Sequence, residues 1–433
     1  MMHFDATMKR SPAISPSKPR LLGLLGPGLI TGASDDDPSG IGTYSQAGAQ
    51  FGFALSWTLL FSYPLMVVIQ EISGRIGRTT GRGIAGNLRK HYPGWLSLPI
   101  VLVLFVANSI NIGADLGAMG DATGLLLGGP RLLYIVLFGL LCAGLQIVMQ
   151  YSRYISVLKW LTISLFAYFG TVIVVHVPWA DVAHGLFVPS PSSDVNFWTT
   201  VVAILGTTIS PYLFFWQASQ EVEDIKAVPE REPLVREPRQ GPSALQRIRV
   251  DTSIGMAFSN LVALAIMTTT GATLHTAGIT SIETSGQAAE ALRPLAGDFA
   301  IAVFTLGIVG TGLLSVPVLA GSAAYALGEA RGWTTGLARR PKEAVAFYTT
   351  IAIATVIGLS LNFLPINPIQ ALFWSAVVNG VVAVPIMGTM MVITTSRAIM
   401  GEFRLSKPLQ IGGWLATAVM AIATAGMLAA QFY

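Results

Sequence analysis

The chain has 433 residues, of which 11% are charged and 52% hydrophobic, and its mean hydropathy is +0.62. Soluble domains carry about 25% charged residues, so this composition excludes a water-soluble globular protein and makes a polytopic membrane protein. The net charge of +4 is no signature of nucleic-acid binding, because the basic residues gather at the ends of apolar segments.

Residues 1–20 form a polar, basic, proline-containing tail. It has no apolar stretch before a small-residue cleavage site, so no secretory signal is visible and the first helix is expected to be retained. Hydropathy and length then give eleven segments, at about 21–50, 52–73, 95–120, 131–151, 154–178, 196–220, 252–274, 297–328, 344–364, 367–395 and 411–431. With the N-terminus inside and alternating crossings, 24 of the 26 Lys and Arg fall on the cytoplasmic side, leaving only Arg131 and Arg293 outside. This positive-inside bias predicts a multi-pass protein of the bacterial inner membrane with a cytoplasmic N-terminus and an external C-terminus.

The first segment is interrupted by Asp35-Asp36-Asp37-Pro38-Ser39-Gly40. Each carboxylate would cost about 2.5–3.5 kcal/mol at the centre of a membrane helix even on lenient insertion scales. Pro38 disfavours helical geometry at Asp37, and Gly40 admits almost any dihedral. The expectation is a helix that unwinds here, with its freed carbonyls and at least one carboxylate facing a cavity; a water-exposed loop between two short apolar pieces is the alternative. Segment 3 carries Asn108, Asn111 and Asp115, whose spacing puts them on one helical face. For the asparagines a cavity wall and interhelical hydrogen bonding stay equally open, while Asp115 is read as functional. Cys142, the single cysteine, lies in an apolar run and is expected to pack. Segment 6 contains Gly206-Thr207-Thr208-Ile209-Ser210-Pro211-Tyr212, a second place where glycine, hydroxyls and proline interrupt apolar sequence. Glu221 to Arg249, with mixed charge and four prolines, reads as a solvated linker. Ser375 and Asn379 of segment 10 are read as packing residues.

Segments 1–5 and 6–10 each make an odd number of crossings, so the two sets insert with opposite orientation. Inverted repeats of this kind place substrate where their broken first helices meet. The expected organisation is the tail 1–20, a first repeat 21–178, a second repeat 196–395 containing the linker 221–249, and a last helix within 411–433.

Gly26-Pro27-Gly28 followed by Asp37-Pro38-Ser39-Gly40 resembles the first-helix signature of the NRAMP family of divalent metal transporters. Gly206 to Tyr212 is similar to that family's sixth-helix signature, and Gln70-Glu71-Ile72, Gly81 and Asp115-Leu116 resemble its second and third helices. The resemblance runs from about residue 21 to 395. It implies an all-α LeuT-type fold with helices 1 and 6 broken, metal transport by alternating access, no cofactor and no enzymatic activity. By register Asp37 keeps the family's metal-binding aspartate. The asparagine ligand becomes Gly40, the methionine ligand Ser210, the histidine after the proline Tyr212 and a later histidine Gln217. The acidic residue three positions after Asp115 becomes Ala118, while Asp35 and Asp36 are additional acids.

These departures imply hard oxygen chemistry. Methionine sulfur suits soft metals, whereas Ser210 offers a hydroxyl or its carbonyl. Gly40 deletes a side-chain oxygen and is expected to open space for water, which suits Mg²⁺, an ion that keeps several waters. The pattern is similar to the bacterial NRAMP-related magnesium transporters. The expected ion site is Asp37, Gly40, Thr207 and Ser210; the cavity or ion path is Asp35, Asp36, Asp115, Tyr212 and Gln217; the helix breaks are Pro38, Ser39, Gly206 and Pro211. No histidine lies deep in a segment, and acids are few, so uptake of Mg²⁺, with Mn²⁺ also carried, is expected without proton coupling. Rivals are proton-coupled Mn²⁺/Fe²⁺ transport, a trivalent-cation carrier and a sodium-coupled organic solute carrier. From another class, an intramembrane enzyme would need Asp37 and Asp115 paired as acid and base. The partners expected are the divalent ion and the bilayer, with no nucleic acid; the sequence names no protein partner and is compatible with a monomer.

Overall fold

A computed structural model of the protein describes residues 31–32, 34–148, 165–192 and 194–431. The described residues are helical and connecting segments, with no strand among them. The principal helices are α1 (Pro38–Phe51), α2 (Ser56–Thr80), α3 (Ile84–His91), α4 (Gly94–Leu127), α5 (Arg131–Val148), α6 (Phe166–Val174) and α7 (Trp179–Phe187). They continue as α8 (Val195–Thr208), α9 (Pro211–Ala227), α10 (Gly241–Thr270), α11 (Ala300–Arg331), α12 (Val345–Leu361), α13 (Pro368–Thr395) and α14 (Lys407–Ala430). Among the described residues seven helical spans, with α8 and α9 taken together as one, are long and apolar enough to cross a membrane. The 18-residue α5 and 17-residue α12 account for two further expected segments. Residues 154–164 of expected segment 5 lie outside the described residues, and α6 is the helix seen in the remainder.

Two of the expected segments are interrupted. Residues 31–32 and 34–35 are helical, Asp36 bends, Asp37 is extended, and the helix restarts at Pro38. In the sixth segment α8 ends at Thr208 and α9 restarts at Pro211, with Ser210 extended between them. Both restarts place proline in the first helical turn, where its missing N–H needs no partner and its fixed φ already suits the helix. The interrupted helices lie inside the bundle: α1 packs against α10 and α13, α8 against α13, and α9 against α2 and α11, while α4 lies along α11. Cys142 is buried, as expected of a packing residue.

Gly206, read as part of the second break, belongs instead to the continuous helix α8. A Cβ there would run into the Ala376 carbonyl and the Gly380 amide of α13. Its small size therefore serves a close crossing of two backbones rather than an unwinding.

The stretch from Glu221 to Arg249 is not the solvated linker its composition implies. Helix α9 continues to Ala227 and α10 begins at Gly241. What remains between them folds back onto the end of α2. The Leu234 and Val235 amides donate to the Arg78 and Thr79 carbonyls at 3.3 and 3.2 Å, and Leu234 is buried. The Arg78 guanidinium donates to the Glu232 carbonyl at 2.5 Å and to Gln240 Oε1 at 2.7 Å. Arg247 pairs with the buried Glu221 at 2.5 Å and with Asp224, which also pairs with Arg231. Several of its charges are used on one another and on carbonyls, while most of residues 226–240 stay exposed or half-exposed; the segment is docked on a distant helix end that its composition does not reveal.

Candidate functional site

Asp37 is the cap of α1, and the local sequence makes it so. An aspartate before Pro-Ser-Gly adopts extended geometry (φ −70°, ψ 169°) and accepts the Gly40 amide at 2.7 Å through Oδ1, satisfying one of the orphan donors at a helix start. The Ser39 hydroxyl donates to the same oxygen at 2.8 Å. The second oxygen, Oδ2, accepts the Asn111 amide at 3.0 Å and faces the Tyr212 hydroxyl at 3.5 Å. Tyr212 donates to the Ser34 carbonyl at 2.9 Å, tying α9 to the turn before the break. The carboxylate is 2% exposed and sits at a helix N-terminus, whose dipole favours negative charge.

The second break meets the first at Gly40. A Cβ on Gly40 would lie 3.1 Å from Thr207 Oγ1 and 3.5 Å from the Asp35 carbonyl. The space expected to open for water is therefore largely taken by Thr207, because removal of the side chain lets the end of α8 close in. Ser210 turns its hydroxyl backward, donating to the Thr207 carbonyl at 2.7 Å and the Gly206 carbonyl at 3.0 Å. Asp37, Gly40 and Thr207 are thus brought together at one point. Ser210 stands beside them through its bond to Thr207.

The other acids flank this point. The Ser259 hydroxyl of α10 lies 2.6 Å from Asp35 Oδ2 and 3.2 Å from Asp36 Oδ1, so both acids face α10. Asp115 accepts Ser315 of α11 at 2.8 Å and the backbone amide of Ser39. This joins α4 to the first break without pairing Asp115 with Asp37 as an acid–base couple. Gln217 accepts from Gln70 at 2.9 Å and donates to Thr252 at 3.0 Å, while Gln70 also reaches the Leu213 carbonyl. It clamps α2, α9 and α10 together. Of the polar stripe on α4, Asn108 donates to the Leu319 carbonyl at 2.9 Å and is a packing contact, whereas Asn111 reaches the site aspartate. The sequence leaves Asn111 equally open to a cavity wall or to packing, and its place on the Asp115 face is the signal that points to the site. Among the described residues no three His, Cys, Asp or Glu side chains converge as a metal cluster, and no Lys, Arg or His forms an ion pair with these aspartates.

The Nramp model, described as natural resistance-associated macrophage protein-like, matches residues 28–430. The chain belongs to the Nramp family. A curated relative, the divalent metal cation transporter MntH of Aeromonas hydrophila, is 27% identical across 96% of this chain and 98% of its own. The manganese transporter of Eremococcus coleocola shares the fold at a TM-score of 0.72 and 16% identity, covering 95% of this chain and 87% of that one. More distant likenesses are Mhp1, a nucleobase-cation-symport-1 family transporter, at TM-score 0.55 and 15% identity over 94% of this chain and 92% of that one, and MhsT at 0.58 and 15% over 94% and 97%. The architecture is the LeuT-type transporter fold, and this Nramp member is a multi-pass membrane transporter rather than an enzyme.

Proposed function

We propose that this Nramp protein takes up divalent cations, Mg²⁺ foremost with Mn²⁺ also carried, by alternating access and without obligatory proton coupling. Its 27%-identical relative is named a divalent metal cation transporter, which supports the class of cargo. The observation that carries the Mg²⁺ reading is the state of Asp37. One of its oxygens is committed to capping α1 through Gly40 and Ser39, so the ion has one carboxylate oxygen to approach, Oδ2, which side chains rather than the cap now hold. Thr207 and Ser210 add only oxygen atoms, with no sulfur or imidazole. A one-point carboxylate contact leaves most of the coordination shell to water, which is how Mg²⁺ prefers to be held.

Asp35 and Asp36 share the Ser259 hydroxyl and Asp115 holds that of Ser315, and with no histidine among these acids the reading takes transport to be driven by the membrane potential. One divalent ion moving inward gains about 4.6 kcal/mol per 100 mV of inside-negative potential. In this reading the protein sits in the bacterial inner membrane, and the end bearing Arg78, Arg247 and Arg331 is cytoplasmic. Residues 21–178 and 196–395 are the two inverted repeats, preceded by the tail 1–20 and followed by the helix within 411–433.

Uptake into proteoliposomes of the purified protein tests this, with Mg²⁺, Mn²⁺ and Ca²⁺ compared while internal pH is recorded. Mg²⁺ uptake that follows an imposed inside-negative potential at constant internal pH is expected. Cation-dependent acidification would reinstate proton coupling. Cd²⁺ or Fe²⁺ transport that Mg²⁺ fails to compete would replace the substrate.

A further inference from the structure

We propose that Asn111, on α4, is a ligand of the transported ion: its side-chain amide turns over to exchange the N–H that now holds Asp37 for an oxygen that holds the cation. The inference rests on the divalent-cation reading above and adds a residue to it. Asp37 Oδ1 is spent on the α1 cap, so a cation approaches Oδ2, the oxygen occupied by Asn111 Nδ2 at 3.0 Å. An amide N–H aimed into that space repels a cation and takes one of the two acceptor positions of Oδ2, an oxygen that the Tyr212 hydroxyl also faces at 3.5 Å. Turning it away removes the repulsion. The other end of the same side chain, Oδ1, is buried with no hydrogen-bond partner among the described residues, and Asn111 is 0% exposed. A buried carbonyl without a donor is costly, by roughly 1–3 kcal/mol, and a satisfied native structure rarely keeps one without a use.

The two ends of a carboxamide are nearly isosteric, and the terminal torsion of asparagine is broad and soft. A half-turn therefore breaks only the bond to Asp37, since Oδ1 has none to lose. It brings a hard oxygen to the place beside Asp37 Oδ2 where the N–H stood. On the α1 side the Ser39 hydroxyl is spent on Asp37 Oδ1, and Gly40 has no side chain and is closed over by Thr207. The new ligand comes from α4, which is packed along α11. Ion arrival would then be coupled to a changed contact between the break and that pair of helices.

The test is Mn²⁺ binding to the purified full-length protein, followed by the spin-resonance signal of free Mn²⁺ and by Mg²⁺ competition. Wild type is compared with Asn111→Leu, which keeps the volume and removes both polar ends, and Asn111→Asp, which keeps an oxygen and removes the donor. Asn111→Leu is expected to weaken binding by about tenfold or more, and Asn111→Asp to bind at least as tightly as wild type. Mn²⁺ should also raise the melting temperature of Asn111→Asp more than that of wild type, a readout that survives if the leucine variant does not fold. A leucine variant that binds as well as or better than wild type would mean Asn111 only blocks the empty site, and overturns the proposal. So would an aspartate variant whose Mn²⁺ binding and thermal shift fall below those of wild type. Wild type binding neither Mn²⁺ nor Mg²⁺ would remove the divalent-cation reading together with this one, whereas binding indifferent to residue 111 removes this one alone.

Discussion

At both interrupted helices a short polar residue stands directly before a proline that begins the next helical turn, Asp37–Pro38 in one and Ser210–Pro211 in the other. The backbones are alike, with the capping residue extended and proline at the first helical position. The side chains are wired in opposite directions. Asp37 reaches forward to the Gly40 amide of the helix it starts. Ser210 makes no forward cap and reaches back to the Gly206 and Thr207 carbonyls of the helix that has ended. One break therefore concentrates negative charge, and the other quiets the carbonyls it has released. In the proposed site the first break would supply the charge and the second neutral oxygens, which in this structure are paired with the Ser210 hydroxyl.

The largest test of that division is Asp37→Ala. It removes the proposed anchoring carboxylate and the α1 cap together. Mg²⁺ and Mn²⁺ uptake in proteoliposomes is expected to fall to the level of empty vesicles, with a stability loss of about 0.5–2 kcal/mol from the cap itself. Near-normal uptake by this variant would show that the charge at the first break is not the ion's anchor. A smaller effect is expected from Gly206→Ala, one turn before the second break. Its added methyl would enter the Ala376 carbonyl region, so α8 and α13 must separate. Overpacking of this kind costs about 1–3 kcal/mol, read as a lowered melting temperature in detergent. Gly40→Ala, whose methyl meets Thr207 Oγ1 at 3.1 Å and otherwise makes ordinary contacts of 3.4 Å or more, should lower it less. The reverse order would show that glycine at 206 is a hinge and not a packing contact.

Much of this arrangement is legible in the chain because breaks and charge are local signals. Pro38 and Pro211 dictate where helices restart, and an aspartate directly before Pro-Ser-Gly is a cap by its spacing alone. The directions of Ser210 and Asn111 are not local. A serine before proline can cap forward or bond backward, and the choice depends on how close α8 brings its last carbonyls. Asn108 and Asn111 share a face of α4, yet one meets a carbonyl of α11 and the other meets Asp37; only the packing of three helices separates them. The segment after α9 fails for the same reason. Its charges and prolines describe a solvated chain until the end of α2 provides the carbonyls that Leu234 and Val235 bind.

The finest test of the comparison is Ser210→Met. In the present wiring the serine hydroxyl occupies the Thr207 carbonyl, so the substitution does two things at once: it frees that carbonyl and presents a sulfur beside it. Sulfur favours soft ions over hard ones, whereas a freed carbonyl alone would help Mg²⁺ and Mn²⁺ as much as Cd²⁺. Competition assays are expected to show Cd²⁺ gaining about tenfold over Mg²⁺, equivalent to about 1.4 kcal/mol. Ser210→Ala separates the two contributions, since it frees the carbonyl without adding sulfur, and its Cd²⁺-to-Mg²⁺ ratio should stay at the wild-type value. If alanine and methionine shifted the ratio equally, the carbonyl would be the selective group. The backward hydrogen bond of Ser210 would then be the element that sets metal preference.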